Sequence, residues 1–117
     1  MAEEEVELTE TLTGLAIREY LLQVVEGSPN DFYKEFRKVK RKTSYPSVRR
    51  YFYILKRLGL IEPTRRVPGR GPIPKQLYRI VPGMEDDPRW IHPQVALYPA
   101  TRWGGARYAK AKERGLI

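Results

Sequence analysis

Eight consecutive residues, Val67-Pro68-Gly69-Arg70-Gly71-Pro72-Ile73-Pro74, hold three prolines and two glycines. No regular element crosses such a run, because each proline lacks an amide donor and fixes φ, while each glycine weakens a helix or strand interior. The chain must therefore break there. On either side, residues 60–66 and 75–81 are short and rich in Leu, Ile, Val and Tyr, as strands are. In the second of them Tyr78 and Ile80 share one face, Leu77 and Arg79 the other. The pattern predicts a hairpin with a long, stiff, proline-rich tip.

Upstream the periodicity is helical. Leu12, Leu15, Ala16, Glu19, Leu22 and Val25 or Glu26 follow three-and-four spacing and predict a first helix with one buried stripe. Thr11 is its expected cap, and Gly27-Ser28-Pro29 its stop. A second helix is predicted over residues 31–40, capped by Ser28 or Asn30, with Phe32, Phe36 and Val39 on one face. A third begins at Tyr45-Pro46 behind Ser44 and ends at Leu58-Gly59. The expected order is three helices followed by a hairpin, an α+β arrangement weighted toward α.

At 100° per residue, Val48, Phe52 and Leu55 of the third helix fall within about 60° of one another and form its core stripe. Pro46, Arg50, Tyr53 and Arg57 lie opposite, with Arg49 and Lys56 on one shoulder and Ser47 on the other. The charge around this helix is lopsided. From residue 34 to residue 79 there are 15 Lys or Arg against Glu35 and Glu62, whereas the first ten residues carry five glutamates and no base. A basic centre of that density on a small chain points to a polyanion. A helix fits the major groove of B-form DNA, and the arginine fork matches guanine O6 and N7. Ser47, Arg49, Arg50 and Tyr53, near the helix start, are the expected base-facing residues. Lys56 and Arg57 are expected at phosphates, and Lys34, Lys38 and Lys42 would meet the backbone from the second helix and the link after it. The hairpin adds Arg65, Arg66, Lys75 and Arg70, the last held between two glycines and suited to a minor groove.

The stretch Pro46-Ser47-Val48-Arg49-Arg50-Tyr51-Phe52-Tyr53-Ile54-Leu55-Lys56-Arg57-Leu58-Gly59-Leu60-Ile61-Glu62 resembles the recognition helix and first wing strand of the winged helix-turn-helix regulators of bacteria and archaea. Those families end the helix in Leu, two or three polar residues, then Gly-Leu-Ile or Gly-Leu-Val. Leu77-Tyr78-Arg79-Ile80-Val81-Pro82-Gly83 is similar to their second wing strand, departing from it at Val81-Pro82. The resemblance covers residues 12–83. It implies three helices and a two-stranded wing that bind double-stranded DNA, often as a homodimer, in a transcriptional regulator or a chromosome or plasmid segregation factor. It leaves open a protein-protein module in a larger complex, or a non-specific architectural binder of DNA.

The rest of the chain is expected to divide into an acidic, flexible segment, 1–10, and an extension, 84–117, around a winged domain, 11–83. In the extension Trp90, Ile91, Val95, Leu97 and Tyr98 are too apolar to leave exposed. They are expected to pack back on the domain or to pair two copies, and a last helix is expected over 101–114. Tyr51, Ile54 and Leu58 are further candidates for a dimer surface.

No enzyme chemistry is legible. With no cysteine there is no thiolate nucleophile, disulfide or zinc-thiolate site. His92 lies between Ile91 and Pro93, and Glu85, Asp86 and Asp87 in a turn make at best a weak hard-cation site. No cofactor is expected. An acidic start and apolar runs far below about 20 residues give no leader or span, so a cytoplasmic, nucleoid-associated protein is expected. Ten prolines and only two methionines also suit a heat-adapted, archaeal-like source.

Overall fold

A computed structural model describes Leu8, residues 12–69 and residues 71–97. Three helices, α1 (Thr13–Val24), α2 (Pro29–Val39) and α3 (Tyr45–Arg57), precede two strands, β1 (Ile61–Val67) and β2 (Lys75–Ile80). A 3-10 turn, Pro88–Trp90, and a short helix, α4 (Pro93–Leu97), close the order. This is the winged helix-turn-helix arrangement with a helical C-terminal extension. The helix expected over 101–114, and Tyr98, lie outside the described residues.

Local chemistry sets the helix ends. Ser28 caps α2 by accepting from the Asp31 amide at 3.1 Å, and Ser44 caps α3 by accepting from the Ser47 amide at 3.3 Å. α3 stops because Gly59 takes φ 77°, where a Cβ would be strained. The Gly59 amide then donates to the Lys56 carbonyl and the Leu60 amide to the Leu55 carbonyl, each at 3.0 Å. These two bonds make a Schellman stop, accompanied by burial of Leu55 and Leu60. α1 ends differently. Val25 sits at φ 69° in a γ-turn closed by the Glu26 amide on the Val24 carbonyl at 2.8 Å, a strained conformation for a β-branched residue.

α1 corrects the expected stripe. Its buried residues are Gly14, Ala16, Ile17, Tyr20 and Leu21, while Leu12, Leu22 and Val25 are exposed. Apolar residues ring this helix, so angle alone did not select the inner face. Leu12 occupies the cap position without a side-chain bond, in place of Thr11. On α2, Phe32 and Phe36 are fully buried, but Val39, in the last turn, is exposed.

The core is aromatic at its centre. Phe32 meets Tyr20 edge-on, stacks on Phe36 with centroids 5.0 Å apart, and touches Phe52, which in turn meets Tyr78 of β2. β1 and β2 pair antiparallel, with Ile61 opposite Ile80 and Val67 opposite Lys75. A bulge between Pro63 and Arg66 puts one extra residue on β1, which accommodates Pro63 in a strand and turns the chain locally. The hairpin is fastened to the helices by a bridge not evident from sequence: Gly27 and Tyr78 exchange amide-carbonyl bonds of 3.0 and 2.9 Å.

The extension returns to the core. Trp90 is fully buried and its indole N–H donates to the Met84 carbonyl at 2.7 Å; Val95 is also buried. Asp87 caps the 3-10 turn through the Arg89 amide. α4 contacts α3, whose second apolar shoulder is covered: Ile54 is fully buried and Tyr51 and Leu58 pack on the core. Ile54 is thus spent inside the chain, while Tyr51 and Leu58 stay partly exposed.

Gly14 explains itself only in three dimensions. A Cβ there would run into the Trp90 carbonyl oxygen, with Pro93 Cδ at 3.3 Å. Alanine ordinarily gains about 1 kcal/mol over glycine inside a helix. Here overpacking against backbone, about 1–3 kcal/mol, outweighs that gain. Gly14→Ala is expected to lower the thermal midpoint by several degrees, whereas a rise would remove the close approach.

Candidate nucleic-acid interface

The outer face of α3 follows from its inner one. Val48, Phe52 and Leu55 are buried, so Arg49, Arg50, Tyr53, Lys56 and Arg57 are turned outward, and all five are exposed. Ser47 is exposed as well, at the helix start. No acidic residue occurs between Glu35 and Glu62, a span that carries nine Lys or Arg. The helix face therefore has no carboxylate of its own to neutralise it.

Aromatic rings order part of this surface. The Arg49 guanidinium lies over the Tyr45 ring, 5.9 Å from its centroid; Tyr45 meets Tyr33 at 5.6 Å; and Arg37 lies over Tyr33 at 5.6 Å. Cation and ring alternate from α2 to α3. Such contacts hold a guanidinium by its face and leave its N–H groups available at the edge. Sequence reading missed Tyr33, Arg37 and Tyr45, because they sit off the apolar stripes and pair only once α2 and α3 cross.

An open groove of about 880 Å³ runs between the start of α2, the start of α3 and the hairpin tip. It brings together Lys34, Arg49 and Lys75 of the expected residues, and Tyr45 and Tyr78 line it with them. Lys56 and Arg57, at the far end of α3, and Lys38 and Lys42, at the end of α2 and in the turn after it, lie on the exposed surface outside that lining. Arg70 lies outside the described residues.

Comparison with protein-family models, with curated proteins and with solved structures found no match.

The cations of hairpin and helix are differently held. Arg65 pairs with Glu26 at 3.3 Å, Lys75 with Asp31 at 2.8 Å, and Arg79 with Glu62 at 2.7 Å, while Arg66 Nε donates to Gln76 at 3.4 Å. Lys38 pairs with Glu35 one turn away. Among the described residues no carboxylate pairs with Lys56 or Arg57. Arg65–Glu26 and Lys75–Asp31 join the hairpin to the helical body, so they position the wing as well as charge it. Exposed pairs are worth little each, and a phosphate that replaces the carboxylate costs them little.

Two carboxylates register these contacts. Glu26 is held below its ordinary range chiefly by a hydrogen bond from Thr64, helped by the Arg65 charge. At Asp31 partial burial works to raise the value, but hydrogen bonds from Lys75 and Ser28 and the charges of Lys75 and Lys34 prevail and lower it. A carboxyl whose folded value is depressed adds stability above its unfolded value, about 3.9 for Asp. That stability is lost as pH falls through the lower folded value. The stability gap between the protein and Asp31→Asn is expected to be steady near neutrality and to shrink below about pH 4. Denaturant melts across that range, with amide exchange of residues 75–78, check it; a gap unchanged in acid would mean the tether is not ionic.

Among the described residues no three His, Cys, Asp or Glu side chains gather as a metal would require, and no helix is long and apolar enough to cross a membrane.

Proposed function

We propose that this chain is a non-enzymatic binder of double-stranded DNA, with α3 in the major groove and the β1–β2 wing along the adjoining backbone. One observation carries the reading. The short helix α4 of the chain's own tail contacts α3, and the Arg49, Arg50, Tyr53, Lys56 and Arg57 face stays exposed. An exposed cationic face suits DNA, which has one phosphate charge every ~1.7 Å. In this reading Arg49, Arg50, Ser47 and Tyr53 face base edges. Lys56, Arg57, Lys34, Lys38, Lys42, Arg65, Arg66, Arg70 and Lys75 meet phosphate or the minor groove.

Regulation of transcription or partition of a chromosome or plasmid are the roles such a module serves, and a nucleoid location in the cytoplasm follows from either. Pairing of two copies on half-sites about 34 Å apart belongs to the same proposal. With Ile54 buried, the apolar groups left for it among the described helices include Leu12, Leu22 and Val25 on α1. The same three residues are what favours the second reading, a protein-protein module.

Anisotropy of a labelled duplex of random sequence tests the proposal. With five or more phosphates neutralised, log affinity is expected to fall against log salt with a slope of about −4.5 or steeper. Absence of binding at low salt would overturn it.

A further inference from the structure

Ile73 is the most exposed large apolar side chain among the described residues, at 79%. It stands in the Pro/Gly loop of the wing, between β1 and β2. Its backbone is constrained by Pro74 after it, since a residue preceding proline is biased to extended conformations, and it follows Pro72, whose own φ is fixed. The two limbs of the tip also close on each other. A Cβ on Gly69 would lie 3.0 Å from the Ile73 carbonyl oxygen, an approach that suits a residue without a side chain. Ile73 is therefore presented on a stiff point, and little conformational freedom is lost when it enters a partner.

Charge identifies the partner. Between Glu62 and Glu85 the chain has no acidic residue and carries Arg65, Arg66, Arg70, Lys75 and Arg79. Arg65 and Arg66 are exposed, on the strand that leads to the tip. An apolar point approached along a strand of exposed arginines fits a surface that is anionic outside and apolar just within. A DNA base step offers that: phosphates flank it and stacked rings lie behind. Inserted apolar side chains pry such steps apart from the minor groove and kink the duplex.

We infer that Ile73 is a wedge that enters a base step of duplex DNA from the minor groove and bends it. This rests on the DNA-binding reading. The experiment keeps the two apart by measuring binding and bending on one duplex of about 30 base pairs. The duplex carries end-to-end donor and acceptor dyes, a central TpA step and 2-aminopurine beside that step. Flexible pyrimidine-purine steps are the ones most easily opened.

At saturation the full chain is expected to raise energy transfer, as a kink between about 20° and 90° would, and to raise 2-aminopurine emission as stacking is lost. Ile73→Ala is expected to bind within a few-fold of the same affinity, with an unchanged salt slope, and to lose both signals. Ile73→Phe, a larger wedge, is expected to keep them. Melting curves of both variants should match the parent, since the side chain contributes almost nothing to the core. A bound duplex that stays straight, or one that Ile73→Ala bends as fully as the parent, overturns the wedge and leaves DNA binding standing. No binding by the parent chain overturns both.

Discussion

Replacing Trp90 with alanine is expected to cost about 3–5 kcal/mol of stability, the usual range for deleting a fully buried indole. For a chain of this size that lowers the thermal midpoint by roughly 15 °C or more, and it consumes much of the 5–15 kcal/mol that holds a typical domain together. The reasons are local. The indole is wholly buried in the same cluster as Phe32, Phe52 and Leu60, and its N–H is bonded to the Met84 carbonyl. Denaturant melts at two protein concentrations tenfold apart measure the effect and its origin. Because Trp90 is covered by its own chain, the loss should be independent of concentration. A loss that appears only in dilute samples would mean that the ring stabilises a contact between copies. Trp90→Phe, which keeps most of the apolar volume but not the donor, is expected to fall between the two.

The second large effect concerns α3. Arg50 lies opposite the Val48, Phe52 and Leu55 stripe and near the helix start, where side chains of a helix-turn-helix reach base edges. A bidentate contact discriminates by about 1–3 kcal/mol, so Arg50→Ala is expected to weaken a selected site about tenfold to a hundredfold and a random duplex much less. Arg57, in the last turn, is expected to act on phosphate. Its removal should weaken both duplexes alike and make the salt dependence shallower by about one counterion. A preferred site must first be selected from random sequence. Equal losses everywhere from both variants would make Arg50 another phosphate contact and the protein an architectural binder.

How far these residues were legible depends on the range of the interactions behind them. The third helix could be read because its signals are local. Its apolar stripe recurs at helical spacing, Ser44 caps one end, and Gly59 in the left-handed region stops the other. The hairpin was equally plain, since the Pro/Gly run admits only a turn between the flanking strands. α1 was harder. Leu12, Ala16, Ile17, Leu21, Leu22, Val24 and Val25 surround the helix, and which side faces inward is decided by Trp90 and Pro93 closing over Gly14. The features that position the site are long-range as well. The Gly27–Tyr78 bridge, the Glu26–Arg65 and Asp31–Lys75 pairs and the Tyr33–Tyr45 contact each join segments that only the fold makes neighbours. Residue type told which side chains suit DNA. It carried no information on which cations are tied to carboxylates.

Amide chemical-shift mapping of the full chain, titrated with duplex DNA at low salt, tests the central claim most directly. The account predicts that the changes concentrate in residues 45–57 on the outward face of α3, at Ser47, Arg49, Arg50, Tyr53 and Arg57, and along the wing from 63 to 75. Amides of the buried residues Ile17, Leu55 and Trp90 should move little. Changes confined to α1 around Leu12, Leu22 and Val25, or no change while α3 remains exposed, would contradict it.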